Sequence, residues 1–247
     1  MTARHRLGML TPSSNTVLEP VTSAMLAGLP DVSAHFSRFP VTEIALSPAA
    51  LGQFDDSHIL RAAEFLAHAK VDVIAWNGTS ASWIGFESDE RLCERITAAT
   101  GIPARTTVLT YRALFRRLNV RRVGLVTPYT DDVQSRIQAN WGAAGFSCVT
   151  ERHLGLADNF SFATVAPDTI GSMTRAVVAE GCDAVAVVCT NMDGARIGAA
   201  LEAELGVPVL DSVAVTLWAC LGAAGVDTAR VTGWGRVFDQ PIVGQPT

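Results

Sequence analysis

One pattern occurs twice in the 247-residue chain, and this repeat constrains the fold more than any other feature. An apolar segment leads into Gly78-Thr79-Ser80, and a similar segment leads into Cys189-Thr190-Asn191. Two flanking pairs repeat in the same order: residues 6–12 with 122–128, and residues 101–103 with 206–208. The offset is about 110 residues, whereas solenoid repeats are about 20–50 residues long. The repeat therefore predicts two homologous halves of similar fold.

Within each half, short apolar runs of small and β-branched residues alternate with segments of helical periodicity. This alternation predicts an α/β fold in which a parallel sheet is flanked by helices. We expect two pseudo-symmetric lobes, residues 1–118 and residues 119–247, with the active site in the cleft between them. Residues 40–56 are irregular and form a candidate flap over this cleft, and the C-terminal tail is a candidate to pack back on the first lobe.

Composition argues against several classes of protein. The net charge is −5 and the basic residues are scattered, which disfavours a nucleic-acid partner. No apolar run reaches the ~20 residues of a membrane span, and the N-terminus lacks the apolar core of a signal peptide. The five cysteines are odd in number and form no CxxC pair or zinc spacing, so reduced thiols in a cytoplasmic protein are expected.

The sequence also lacks the usual signatures of cofactor binding. It contains neither GxGxxG nor GxxxxGK[ST], and its five histidines lie apart. The only lysine, Lys70, opens a buried-looking strand, which argues against a Schiff-base cofactor. We therefore expect a site without metal or cofactor. Assembly into a homo-oligomer stays open.

Cys189 is the strongest candidate for a catalytic group. It ends a buried-looking strand, and open α/β sheets bind ligands beyond the carboxyl ends of their strands. A structural buried cysteine is the competing interpretation, because a free thiol packs as a small hydrophobic group. The repeat favours a functional role, since it places Gly78 opposite Cys189 across the cleft. A thiol there has a reference pKa of ~8.5, which suits proton transfer at carbon.

Protonating carbon requires neighbouring groups that stabilise an enediolate. Candidates are the hydroxyl and N–H groups of Thr79 and Ser80, the N–H group of Thr190, and Tyr129. Thr79 and Ser80 could instead be helix caps, and Tyr129 an ordinary turn residue. Ser14 or Asn15 can cap a helix that begins near residue 16, whose free N–H groups would hold a carboxylate; plain capping without a ligand is equally compatible.

Several motifs together resemble the aspartate/glutamate racemase superfamily, in the branch that holds maleate cis-trans isomerases and arylmalonate decarboxylases. They extend over nearly the whole chain: Pro12-Ser13-Ser14-Asn15, Gly78-Thr79-Ser80-Ala81-Ser82, residues 120–123, residues 128–132, Val188-Cys189 and residues 233–239. Racemases and maleate isomerases of this superfamily use two cysteines, one from each lobe. Gly78 stands at the first of these positions, which is the arylmalonate decarboxylase pattern.

The resemblance implies a cofactor-independent decarboxylase of a substituted malonate. Thr79, Ser80, Tyr129 and the N–H group of Thr190 would hold the reacting carboxylate and the enediolate. An apolar pocket would expel CO2, and Cys189 would protonate one face of the planar carbon, giving a product of one hand. A cysteine introduced at position 78 would restore the two-thiol pattern and confer racemase activity.

Other residues resemble those with which maleate isomerases hold a dicarboxylate. Ser13, Ser14, Asn15 and Asn159 match that pattern, and Asn191 adds a polar group beside the thiol. Pro12, which precedes Ser13, is counted with the substrate-binding residues. They favour a small, polar dicarboxylate substrate. Maleate isomerase, or a related racemase-type isomerase, is the alternative, although Gly78 cannot supply a nucleophile. A non-catalytic protein that binds a dicarboxylate is the further alternative.

Overall fold

The computed structural model describes residues 4–54 and 56–241 and contains two parallel sheets of four strands. The first sheet has the order β2-β1-β3-β4 and the second β6-β5-β7-β8, so the two orders are equivalent. The strands are β1 (His5–Pro12), β2 (Val32–Phe39), β3 (Val73–Trp76), β4 (Ala104–Thr106), β5 (Arg122–Thr127), β6 (Ser147–His153), β7 (Ala184–Val187) and β8 (Val209–Asp211). The predicted pair of α/β lobes is confirmed.

Helices flank both sheets. Those of the first half are α1 (Leu18–Met25), α2 (Pro48–Gly52), α3 (Asp56–His68), α4 (Ala81–Ile84), α5 (Phe86–Thr100) and α6 (Thr107–Arg117). Those of the second half are α7 (Asp131–Ala143), α8 (Pro167–Ala179), α9 (Ala195–Leu205) and α10 (Ser212–Ala223). Strands β3 and β7 are buried along their whole length, as expected for central strands covered on both faces.

The two halves exchange helices across their interface. Helix α10 packs against β3 and β4 of the first sheet and against α6. Tyr111 of α6 donates from its hydroxyl group to the carbonyl oxygens of Val187 and Leu210 in the second half, at 2.9 and 3.0 Å. Where α6 and α10 meet, the hydroxyl groups of Thr107 and Thr216 lie 2.7 Å apart. A division of the chain at residues 118 and 119 stays a proposal, because each half contributes a helix to the other.

The segment between β2 and α3 crosses from the first half to the second, as the flap interpretation proposed. It contains the short helix α2, and its Glu43 forms an antiparallel bridge with Asp158. The amide of Ile44 donates to the carbonyl of Ala157 at 2.8 Å. Residue 55 lies outside the described residues. The flap is therefore hydrogen-bonded to the loop that carries Asn159.

The sequence pattern predicts a helix over residues 90–99 and a strand over residues 102–107, and the structure differs from both predictions. Strand β4 is limited to Ala104–Thr106, and α6 begins immediately afterwards. The side chain of Thr106 accepts a hydrogen bond from the amide of Leu109 and so caps this helix. Helix α4 begins at Ala81, in a segment to which the sequence assigned no element. Helix α5 begins at Phe86, four residues before the expected start at Glu90.

The C-terminal tail packs on α9 and α10, and α10 in turn packs against β3 and β4 of the first sheet. Glu202 of α9 accepts a hydrogen bond from the amide of Arg236 at 2.7 Å. The indole of Trp218 donates to the carbonyl of Gln240 at 3.0 Å. The tail therefore stabilises the position of α10. Residues 242–247 lie outside the described residues.

We predict that Tyr111→Phe lowers the free energy of unfolding by about 1–3 kcal/mol, because the buried carbonyls of Val187 and Leu210 each lose one donor, although Ser212 still donates to that of Val187. Urea denaturation measures this change. Arg61→Gln is the control, since it removes an exposed ion pair with Glu64 and an exposed contact with the Phe65 ring, and it should have an effect of about 1 kcal/mol or less. Equal stability of the wild type and Tyr111→Phe would contradict the assigned bridging role.

Candidate active site

The carboxyl ends of β3 and β7 meet at the interface of the two halves. The segments that follow these strands, residues 77–80 and 188–191, are buried. The hydroxyl group of Thr190 donates to the carbonyl of Asn77 at 3.0 Å, which joins the two segments directly. The equivalent strand ends of the repeat are therefore brought together, as the sequence predicted.

A small cavity lies between these two segments. The space open to the centre of a water molecule is about 20 Å³, enough for one water. Its walls contain eight of the eleven predicted site residues, namely Pro12, Gly78, Thr79, Ser80, Tyr129, Asn159, Cys189 and Thr190. Ser14, Asn15 and Asn191 lie behind the wall. The remaining walls are apolar and consist of Val41, Ile44, Phe54, Trp76 and Trp83.

Cys189 is held as a neutral thiol. Its side chain is 3% exposed, and burial raises the pKa of the thiol to about 12. Hydrogen bonds from the amide of Asn191 and the hydroxyl of Tyr129 lower this pKa, but by less than burial raises it. The distance from the Asn191 nitrogen to Sγ is 3.4 Å. A protonated thiol can donate a proton, whereas nucleophilic attack requires a thiolate.

Tyr129 and Thr79 form a pair of hydroxyl groups on the cavity wall. Their oxygen atoms lie 2.6 Å apart, with one residue from each half. Burial raises the pKa of Tyr129 well above its ordinary value, so its hydroxyl stays protonated. In the described part of the chain, the N–H groups of Thr79, Ser80 and Thr190 donate to no backbone carbonyl. The wall thus offers hydrogen-bond donors to an anion.

The start of α1 is closed by two asparagine side chains. The Oδ1 atom of Asn15 accepts hydrogen bonds from the amides of Val17 and Leu18, at 3.0 and 2.9 Å. The Oδ1 atom of Asn191, from the other half, accepts from the amide of Thr16 at 2.9 Å. The sequence left open whether a carboxylate or a cap occupies these N–H groups. In the structure, side chains cap these N–H groups, and one of the two capping side chains comes from the opposite half.

Asn159 and Ser14 extend this polar contact between the halves. The Nδ2 atom of Asn159 donates to the Oγ atom of Ser14 at 2.7 Å, and Ser14 donates to the carbonyl of Val41. The Nδ2 atom of Asn191 donates to the carbonyl of Asn159 at 2.5 Å. These polar groups therefore bind one another and hold the flap closed.

Trp76 occupies the space beside Gly78. A Cβ atom built on Gly78 would lie 1.9 Å from the Cζ2 atom of Trp76, far inside van der Waals contact. The indole is 1% exposed and packs against Phe39 at 5.1 Å between ring centres. The expectation that a cysteine at position 78 restores the two-thiol pattern and confers some racemase activity stays a prediction, and it requires the Trp76 indole to move.

The sequence predicted an apolar pocket but did not name the residues that form it. Residues 76 and 78 project from the same face of the chain, since side chains alternate along a strand. The sequence did contain one signal for the position of the indole, namely that the large residue Trp76 lies two positions before Gly78. Trp83 packs edge-on against Tyr129 at 5.2 Å, a contact between halves with no signal in the sequence.

Two absences concern the described residues alone. Over residues 4–54 and 56–241, no group of three or more His, Cys, Asp or Glu side chains is arranged to bind a metal ion. Over the same residues, no helix has the length and apolar character needed to span a membrane.

The duplicated parallel sheets and the strand-end cysteine in their cleft define a class, the two-lobed α/β proteins of the aspartate/glutamate racemase superfamily. A family model described as arylmalonate decarboxylase matches residues 8–238. The chain therefore belongs to the arylmalonate decarboxylase family.

Its relatives include enzymes of two kinds. The maleate isomerase of Nocardia farcinica is 26% identical over 95% of this chain and 96% of its own. The arylmalonate decarboxylase of Bordetella bronchiseptica is 30% identical over 68% of this chain and 71% of its own. The crystal structure of a maleate isomerase variant from Pseudomonas putida S16 with maleate has a TM-score of 0.87 at 25% identity, covering 95% of this chain and 97% of the other.

We predict that Cys189 forms no thiolate in the folded, ligand-free protein below about pH 10, because its pKa is raised by burial. The difference in thiolate absorbance between the wild type and Cys189→Ser measures this during a pH titration. Unfolding in urea should restore titration near the reference value of ~8.5. A difference signal that rises between about pH 7 and pH 9 in the folded protein would refute the assignment.

We predict that Gly78→Ala destabilises the protein by at least about 2 kcal/mol, because its methyl group overlaps the Trp76 indole. Gly142→Ala is the matched control, since no atom lies within 4 Å of its added Cβ. The double variant Gly78→Ala/Trp76→Leu should be more stable than the sum of the two single effects predicts, because Trp76→Leu removes the indole that the added methyl group overlaps. Urea denaturation of the wild type and these four variants tests this, and additive effects of Gly78→Ala and Trp76→Leu would argue against the overlap.

Proposed function

We propose that this protein is a cofactor-independent decarboxylase of a substituted malonate, in which Cys189 delivers the proton to carbon. The observation that carries the proposal is the asymmetry of the cavity. One wall holds a neutral thiol, and the opposite wall holds Gly78 with the Trp76 indole in place of a second thiol. A single proton donor beside an apolar wall suits protonation of a planar carbon from one face.

The reaction needs only groups on the cavity wall. The bond between the central carbon and one carboxylate breaks, and its electron pair stays on the carbon as an enediolate while CO2 leaves. Cys189 then transfers its S–H proton to that carbon, and the resulting thiolate takes a proton from water. Val41, Ile44 and Phe54 surround the departing carboxylate with apolar groups, which disfavour its charge and favour neutral CO2.

The remaining carboxylate has its own donors in this proposal. The hydroxyl groups of Thr79 and Tyr129 and the N–H groups of Ser80 and Thr190 stabilise the charge that grows on its oxygens. Tyr129 suits this role because its raised pKa keeps it protonated. Pro12 completes the wall beside the flap.

We assign the other predicted residues to positioning. Asn15 donates from Nδ2 to the Thr190 hydroxyl at 3.2 Å and so orients the turn after Cys189. Asn191, Asn159 and Ser14 connect that turn to the flap. In this role they hold the cleft closed around the substrate.

Maleate isomerisation is the second candidate, favoured by similarity to maleate isomerases along almost the whole chain. It would require a nucleophile to add to the double bond before rotation. The raised pKa of Cys189 and the absence of a thiol at Gly78 disfavour this step. A non-catalytic dicarboxylate-binding protein is the third candidate. All five cysteines are free, which favours a reducing compartment such as the cytoplasm.

The deciding experiment is a proton NMR assay in D2O without added metal, with methyl(phenyl)malonate and maleate in separate samples. We expect 2-phenylpropionate with deuterium at the central carbon, in one enantiomer, from the first sample. Cys189→Ala should lower the rate by about 10²–10⁴-fold, because it removes the proton donor. Cys182→Ala, a half-buried thiol outside the cavity, is the control and should keep the wild-type rate.

The other results each select a different conclusion. Fumarate from the second sample would identify an isomerase and reject this mechanism. Binding of either substrate without turnover would identify a binding protein. A Cys189→Ala variant that retains the wild-type rate would remove Cys189 from the mechanism.

A further inference from the structure

A wide groove lies at the edge of the first sheet and shares no lining residue with the cavity at Cys189. Its volume is about 890 Å³. One wall is helix α5, the other wall is helix α6, and the edge strand β4 runs between them. We call it the α5–α6 groove. Because it is separate from the cavity, its role does not depend on the reaction proposed above.

Helix α6 presents two different faces. Thr107 and Tyr111, one turn apart, are buried on the face that packs against α10. Leu109, Ala113 and Arg116 recur at helical spacing on the opposite face, which lines the groove. Leu109 and Ala113 are half-buried there, and Arg116 is exposed. The second face therefore combines an apolar surface with an exposed positive charge.

The sequence repeat supplies an internal comparison for this groove. Residues 101–103 repeat as residues 206–208, so α9, β8 and α10 of the second half are equivalent to α5, β4 and α6. Both β4 and β8 are edge strands. The second half covers its equivalent groove with the C-terminal tail, whose short helix Arg236–Asp239 contacts α10. In the first half, the groove is open.

Two pairs of equivalent residues show the difference between the halves. Glu202 and Trp218, which bind the tail, are 2% and 7% exposed. Their equivalents in the α5–α6 groove are Thr97, which is exposed, and Ala113, which is half-buried. Thr97 and Ala113 lack the carboxylate and the indole that bind the tail. The α5–α6 groove therefore suits an occupant of a different kind.

The two walls of the groove carry opposite charges. Glu94 lies on the α5 wall and Arg116 on the α6 wall, and both side chains are exposed. Neither side chain forms a hydrogen bond or an ion pair with another residue of the described chain. Glu90 and Arg112, from the same two walls, pair with each other at 2.6 Å. One acidic wall and one basic wall are complementary to themselves after a twofold rotation about an axis along the groove.

We propose that the α5–α6 groove is a twofold interface between two copies of this chain. Helix α6 of each copy lies in the groove of the other, so that Arg116 of one copy pairs with Glu94 of its partner, twice in the dimer. The small side chains of Ala98 and Ala113 allow the helices to approach closely, and Leu109 is removed from water. The charge pairs determine the orientation, and burial of the apolar surface supplies most of the affinity.

Sedimentation equilibrium of the full chain, over protein concentrations from micromolar upward, tests the interface. We expect the wild type to be in equilibrium between monomer and dimer. Arg116→Glu and Glu94→Arg should each raise the dissociation constant at least about tenfold, because each creates two pairs of like charge. Arg61→Glu, a change of charge on α3 outside the groove, is the control and should stay within about twofold of the wild type.

Combining the two charge reversals tests the pairing itself. Arg116→Glu with Glu94→Arg exchanges the charges of the two walls and should restore the dissociation constant to within about threefold of the wild type. Both positions are exposed, so these variants should fold, which circular dichroism checks. Ala113→Trp, which places an indole where the second half has Trp218, should raise the dissociation constant at least about tenfold by filling the groove.

Three results would contradict the proposal. A wild type that stays monomeric at every concentration would overturn it. A dimer that persists in Arg116→Glu, Glu94→Arg and Ala113→Trp would overturn it as well, because that dimer would have to use another surface. Failure of the double variant to recover, with both single variants weakened, would refute the twofold pairing of Glu94 with Arg116.

Discussion

The structure depends on burying the ends of two parallel sheets against each other. Strand ends carry polar backbone groups that need hydrogen-bond partners when they are buried. Side chains from the opposite half satisfy two carbonyl oxygens: Thr190 donates to the carbonyl of Asn77, and Tyr111 donates to the carbonyl of Val187. The cleft, the flap and the exchange of α6 and α10 all follow from this interface.

The same burial determines the chemistry that Cys189 can perform. A solvent-exposed thiol would exchange its proton near neutral pH, whereas this one keeps its proton because the surroundings disfavour the thiolate. A buried neutral thiol gives up its proton only to a strong base, such as a carbanion. Under the proposed reaction, the enediolate is that base, and the thiol has no competing role as a nucleophile.

The duplicated pattern was sufficient to predict two parallel sheets and the meeting of Gly78 with Cys189, because strand ends carry the site in such sheets. It was also sufficient to bring Thr79 and Tyr129 to one cavity. The position of the Trp76 indole was not predictable in detail, because it depends on the rotamer and on packing with Phe39. The capping of α1 by Asn191 was invisible for a related reason, since 174 residues separate the side chain from Val17.

The duplication has a consequence for stereochemistry. A single half-chain that assembled as a symmetric pair would build the cleft from two identical strand ends, and so would present the same group to both faces of a bound molecule. When both halves belong to one polypeptide, a substitution at one strand end leaves the equivalent strand end unchanged. Gly78 and Cys189 differ at equivalent positions of the two halves, so the cavity between the halves carries a thiol on one side only.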